Sequence, residues 1–194
     1  PVFYVLITLL TCGAVAGLMC IALAAPLAQR MVGMSTAAAT LTVSMLALFN
    51  VLGRICAGVI SDKIGRINTL SLACLLSVMG LILLYFSGTG DSQQFSISIA
   101  IIGVCFGAFM GVFPGFTADQ FGARNNSVNF GIMFSGFAIA GYIGPIIMMA
   151  VFNATGSYKN AFLVGIAFSL VGLLLTGIYR LITKKSSLTL SVEN

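Results

Sequence analysis

Six apolar stretches, each long enough to cross a bilayer, follow one another through almost the whole of this 194-residue chain. They run at about 3–27, 36–60, 67–87, 94–117, 130–152 and 160–182, and most exceed the roughly 18–20 residues that a membrane-spanning helix needs. In hydrocarbon every backbone N–H and C=O has to find a partner within its own segment, so each stretch predicts a helix. Only 7% of the residues are charged, against roughly a quarter in a soluble domain. The predicted fold class is therefore an all-α membrane protein, a six-transmembrane-helix bundle over 1–182 followed by a polar tail at 183–194. Its first partner is the lipid bilayer.

The net charge of +5 would point to nucleic acid in a soluble protein. Here the basic residues sit in short connectors, so membrane topology accounts for them and no nucleic-acid partner is expected. Lys63, Arg66, Arg124, Lys184 and Lys185, with Arg180 at the end of the sixth span, fall on one side; Arg30 and Lys159 fall on the other. This bias predicts an integral protein of the cell (inner) membrane with both termini in the cytoplasm and Asp91 outside. Pro1 opens the chain with no basic segment before the first span, which is itself too long for the apolar part of a signal peptide. Six spans that enter and leave on the same side are what half of a twelve-span protein would show, so a missing N-terminal six-helix half is an expected partner.

The polar inventory excludes most chemistry. The chain has no histidine, and its four acids, Asp62, Asp91, Asp119 and Glu193, are read as lying in loops or the tail. No carboxylate or imidazole is then available in mid-membrane to carry a proton. The five cysteines, Cys12, Cys20, Cys56, Cys74 and Cys105, all lie in spans without metal-type spacing and read as small packing residues. No serine or cysteine stands beside a base. An enzyme is not expected, nor a cofactor, nor a metal.

Two patterns remain. The fourth span carries Gly103, Gly107, Gly111 and Gly115, each four apart, with Pro114 near its cytoplasmic end. Such a ladder makes a flat groove that another backbone can approach closely. It reads either as static helix packing or as part of a transport pathway. The first span, which holds the same place in its triplet of spans, has Gly13, Gly17 and Pro26. Interrupted spans at corresponding positions point to a 3+3 inverted repeat and a pathway between the repeats.

The second pattern is GRICAGVISDKIGR, from Gly53 to Arg66. It places Arg54 eight residues, or roughly 12 Å, along the helix from Asp62. A cation at that depth is a functional hypothesis by default. Asn50, one turn earlier, lies on the same face. Together a guanidinium and a carboxamide can hold a carboxylate, the first through its planar fork and the second through its NH2 group. The other reading is that Arg54 braces backbone carbonyls or snorkels to the loop. Asp62, Gly65 and Arg66 suit a tight turn with a local ion pair.

The spacing Gly58-x-x-x-Asp62-x-x-Gly65-Arg66, between the second and third of six spans, resembles the loop signature of the major facilitator superfamily of secondary transporters. The stretches FNVLGRICAGVISDKIGR from Phe49 and FPGFTADQFGARNNSVNFGIMFSGFAIAGYIGP from Phe113 are most similar to its oxalate/formate antiporter and monocarboxylate porter group. The resemblance covers essentially the whole chain and implies the C-terminal half of a twelve-helix carrier. It implies that Arg54 meets a substrate carboxylate, with Asn50 assisting, and that Asp62, Gly65 and Arg66 latch the cytoplasmic side when the carrier opens outward. Helices one and four would rock against the missing half, with helices two and five also lining the path.

Two departures narrow the substrate. Monocarboxylate porters commonly have an aspartate where Asn50 stands, which argues against direct proton coupling through this helix. Oxalate-type members have a lysine in the fifth helix, and none occurs around Gly136 and Phe137, which argues against a dianion. The expected function is half of an alternating-access carrier, antiporter or symporter, for a small organic anion, a monocarboxylate first. The alternatives are a drug or sugar carrier in which Arg54 is structural, and a non-transporting assembly or regulatory subunit.

Overall fold

The computed structural model describes residues 2–192, with side chains up to Lys184. Among the described residues the helices are eight: α1 (Val2–Ile21), α2 (Ala24–Arg30), α3 (Thr36–Ile64), α4 (Arg66–Phe86), α5 (Ser92–Phe121), α6 (Asn126–Met133), α7 (Ser135–Thr155) and α8 (Lys159–Val192). They make the six apolar spans read from the sequence, because α1 with α2 and α6 with α7 are single spans interrupted once. The protein is thus an all-α membrane bundle.

Each interruption has a local cause. Pro26 has no N–H to give to the Ala22 carbonyl one turn earlier, and the helix lapses at Ala22 and Leu23 before resuming. The fifth span, read as continuous, breaks at Phe134, where the Ser135 hydroxyl donates to the Ile132 carbonyl at 2.7 Å. Pro114 and Pro145 lie inside α5 and α7 without ending them.

The helices also run further than their apolar cores. α3 reaches Ile64 and α5 reaches Phe121, beyond the 60 and 117 expected. Asp62 and Asp119 consequently stand in the last turns of helices, not in the loops to which the sequence reading assigns them. α8 likewise continues to Val192 through most of the segment read as a tail; Glu193 lies outside the described residues. Between α3 and α4 a single residue turns the chain. Gly65 has φ +91°, a conformation closed to side chains with a Cβ, and this requirement explains the glycine of the motif.

α5 lies at the centre of one side of the bundle, with α3 along one flank and α4 along the other; α8 packs on α4, and α1 sits between α8 and α7 while also touching α5. Two apolar cores fill the interior. The one toward Asp91 is built around Met19, Phe95, Ile99 and Phe162; the one toward Asp62 around Leu70, Phe109, Phe113 and Phe116. α3 and α7 are left at the open edge. On α3, Leu41, Leu48 and Ile55 stay 58–67% exposed, apolar side chains that need lipid or protein against them.

Candidate functional site

The glycine ladder of α5 determines where the polar residues of α3 stand. A Cβ built on Gly103 would lie 2.8 Å from the Leu46 carbonyl oxygen, and one on Gly111 2.6 Å from that of Arg54. Gly107 faces the Asn50 carbonyl more closely still, and Gly53 of α3 returns the contact against Val104 of α5. The two backbones therefore touch along the turns that carry Asn50 and Arg54. The sequence does not reveal this pairing: the ladder shows a groove but not which helix fills it.

On α3, Arg54 and Asn50 are brought together as the one-turn spacing requires. The Arg54 Nε–H donates to the Asn50 Oδ1 at 3.0 Å. The carboxamide oxygen is thereby used, and its NH2 group and both terminal guanidinium nitrogens are left without a protein partner among the described residues. Arg54 is exposed on the open flank of α3, and no backbone carbonyl accepts from its side chain. The arrangement offers a forked cation, oriented from behind, on a surface in the middle of a span. Gly58 faces open space, with nothing within 4 Å of a Cβ position, so it has no packing task inside this bundle.

Around the Gly65 turn Arg66 gathers a second cluster. Its Nη1 pairs with Asp62 Oδ1 at 2.8 Å and its Nε with Asp119 Oδ2 at 3.0 Å. The Ser61 hydroxyl, which itself donates to the Gly58 carbonyl, accepts a further Arg66 hydrogen bond. The last ladder glycine belongs here: a Cβ on Gly115 would stand 3.2 Å from the Arg66 guanidinium. The cluster borders an open hollow of about 410 Å³ that Phe116 and Tyr179 also line. Tyr179 donates to Gln120 at 2.6 Å, and Arg180 donates to Asn68 and Ser71 at 2.8 and 2.9 Å, so α8 is tied into the same end of the bundle.

Asp119, Ser61 and Gln120 are the residues that sequence reasoning missed. A signal for Asp119 was present. Asp119-x-x-Gly122 repeats the spacing of Asp62-x-x-Gly65, and both glycines end their helices with φ near +90°.

Among the described residues no group of acids, cysteines or histidines could hold a metal ion. Cys12, Cys20, Cys74 and Cys105 are buried, whereas Cys56 is exposed on α3.

The chain resembles two curated proteins over most of its length. It is 29% identical over 139 residues, 72% of the chain, to an uncharacterized MFS-type transporter, YhjX, of Escherichia coli K12. It is also 29% identical over 164 residues, 84% of the chain, to the oxalate:formate antiporter of Oxalobacter formigenes. These matches span 34% and 39% of the two relatives, so the chain corresponds to less than half of either protein. The model of the Major Facilitator Superfamily matches residues 7–193. With six membrane-length helices bundled as half of that fold, the chain belongs to the Major Facilitator Superfamily of membrane transporters.

Proposed function

We propose that this chain is the C-terminal half of an alternating-access carrier for a small organic anion, a monocarboxylate, bound by Arg54 with Asn50 assisting. The observation that carries the reading is the state of the Arg54 side chain. A brace would spend its guanidinium on backbone carbonyls; here, among the described residues, its one bond is to Asn50, and the side chain is exposed. The oxalate:formate antiporter, whose name gives two carboxylates as cargo, adds weight. A carboxylate bonded to a guanidinium fork gains roughly 1.5–3 kcal/mol from charge-assisted hydrogen bonding.

In this reading a second six-helix bundle covers the open flank of α3 and α7, and the pathway lies between the two. The ladder of α5 holds α3 at a fixed distance while the halves rock. The Arg66 cluster closes the cytoplasmic side in the outward-open state. The basic connectors support a topology with both termini on the cytoplasmic side of the inner membrane.

The test uses the protein that carries this chain, reconstituted in vesicles with labelled formate, acetate, lactate and oxalate. Arg54→Gln should lower affinity for the transported acid roughly 10- to 100-fold. Arg54→Lys should fall between it and the parent, because it keeps the charge and loses the fork. If both variants melt at a lower temperature and keep the parent's affinity, Arg54 is a brace and the anion reading fails.

A further inference from the structure

The surface of α5 differs on the two sides of its glycine ladder. Val104 and Met110, three residues before and after Gly107, lie about 60° to either side of it around the helix. Val104 faces a recess between α3 and α4 that Phe49 and Leu76 also line. Phe49 stands five residues before Arg54, roughly 140° round α3. Arg54 therefore leaves α3 on the other side of the contact, the side of Met110. Met110 is half-buried and packs on both apolar cores. Beyond it Phe106 crosses Gly17 of α1, where a Cβ would lie 2.7 Å from the ring. The Phe106 ring centre is 6.0 Å from that of Phe137 on α7. Phe137 stacks in turn on Phe134, with centres 4.6 Å apart and planes at 14°. Phe134, at the break before α7, is 37% exposed.

Three observations define what this strip can hold. It starts at the depth of the cation, because Phe106 directly precedes Gly107, whose neighbour across the contact is Asn50. It carries one charge: among the described residues Arg54 is the one charged side chain in the middle of a span. It also resists cover by a helix. A helix laid on Met110 is about 10–12 Å across with its side chains, so it would lie against the Arg54 turn as well. It would then strip water from a guanidinium whose terminal nitrogens have no partner among the described residues, a costly state for a cation. Surface beside such a group stays wet until an anion arrives.

We propose that the strip is the subsite for the body of the transported acid, and that the cargo is an aryl or branched-chain monocarboxylate instead of formate or oxalate. Its carboxylate sits on Arg54. Its apolar body lies over Met110 and against the rings of Phe106, Phe137 and Phe134, where an aromatic body gains ring contacts beyond the burial of its area. A second carboxylate would meet these rings with no cation to pair it. The inference rests on the anion reading and assigns the other end of the substrate.

The test is equilibrium binding to the detergent-solubilised protein that carries this chain, because apolar acids leak across bilayers in their protonated form. Tritiated phenylacetate is displaced by unlabelled phenylacetate, 3-methylbutanoate, acetate, oxalate and the neutral phenylacetamide. Phenylacetate and 3-methylbutanoate should bind roughly tenfold or more tighter than acetate, and oxalate and phenylacetamide should bind more weakly than phenylacetate. Phe137→Ala should bring the phenylacetate-to-acetate ratio down toward one and leave acetate affinity unchanged. Phe134→Ala, at the more exposed ring, is the second variant should the first not fold. The ratio is the readout, since a variant that merely loosens the bundle weakens both acids together. Arg54→Gln should weaken both acids alike. Equal affinity for phenylacetate and acetate, or a ratio that survives both phenylalanine substitutions, overturns the subsite; if Arg54→Gln still weakens the acids, the anion reading stands without it. No acid bound, phenylacetamide bound as tightly as phenylacetate, or full binding by Arg54→Gln ends the anion reading itself, and this inference with it.

Discussion

Replacing Gly111 with alanine adds one methyl group between α5 and the backbone of the Arg54 turn. The added carbon would stand 2.6 Å from the Arg54 carbonyl oxygen and 2.9 Å from its Cα. Carbon atoms in ordinary contact are about 3.5–4.0 Å apart, so α3 must retreat by roughly 0.5–1 Å over this turn. No side-chain rotation relieves the clash, because the opposing atoms are main chain. Overpacking of this kind costs about 1–3 kcal/mol. Alanine also stabilises the α5 helix itself over glycine by about 1 kcal/mol, which offsets part of the loss. Gly177 supplies the control, since nothing lies within 4 Å of a Cβ there and the same substitution in α8 carries the helical gain alone. The difference between the two variants isolates the packing cost of about 1–3 kcal/mol. Thermal unfolding of both in one detergent should place Gly111→Ala several degrees below Gly177→Ala. Equal melting temperatures would mean that the α3 and α5 backbones are not in contact in the membrane, and the account of how Arg54 is positioned would fall with them.

Further outcomes are expected at the two polar clusters and the connectors. Asn50→Asp sets a carboxylate against Arg54 that competes with an anionic substrate while ionised and releases the guanidinium when protonated. Uptake by this variant should rise toward acid pH more steeply than that of the parent, and parallel pH profiles would remove Asn50 from the site. Asp119→Ala leaves Arg66 with Asp62 and Ser61 but breaks its tie to α5, an exposed pair worth up to about 1 kcal/mol. Alkylation of a cysteine placed at buried Phe116 should then quicken roughly two- to fivefold, and an unchanged rate would show that the pair does not hold this end closed. In a background lacking the native cysteines, new ones at Asp91 and Ser157 should react with an impermeant maleimide from outside, and those at Lys63 and Arg124 should not; the reverse pattern would invert the topology drawn from the basic connectors.

The elements that could be read in the sequence were those fixed by the solvent. Six spans follow from hydropathy and length because hydrocarbon leaves the backbone no other choice, and Asn50 with Arg54 follows from the helical repeat. What escaped was set by contacts between segments distant in the chain. Helix ends at Ile64 and Phe121 lie past the apolar run, where hydropathy gives no signal, so the sequence alone assigns Asp62 and Asp119 to loops. The kink at Phe134 carries no proline, and the Ser135–Gly136 pair that follows it is a weaker signal. The ladder from Gly103 to Gly115 announced a close neighbour without naming it, since a groove without side chains is equally open to any helix. Only the fold shows that the neighbour is α3.

That pairing joins the two clusters mechanically. Gly103, Gly107, Gly111, Gly115 and Asp119 follow one another at four-residue intervals on α5. The first three lie against the α3 backbone under the Arg54 site, the fourth against the Arg66 guanidinium, and the fifth bonds it. α3 in turn is one unbroken helix from Thr36 to Ile64, carrying Arg54 and Asp62 together. A shift of α3 along α5 cannot move Arg54 without loading the Arg66–Asp119 pair. The magnitudes suit a latch: an ion pair whose acid is 59% exposed is worth up to about 1 kcal/mol, less than the roughly 1.5–3 kcal/mol that a carboxylate on a guanidinium can supply. In the proposed cycle, substrate at Arg54 releases the latch when it binds the released state more tightly than the latched one by about 1 kcal/mol or more, while the empty carrier keeps it shut.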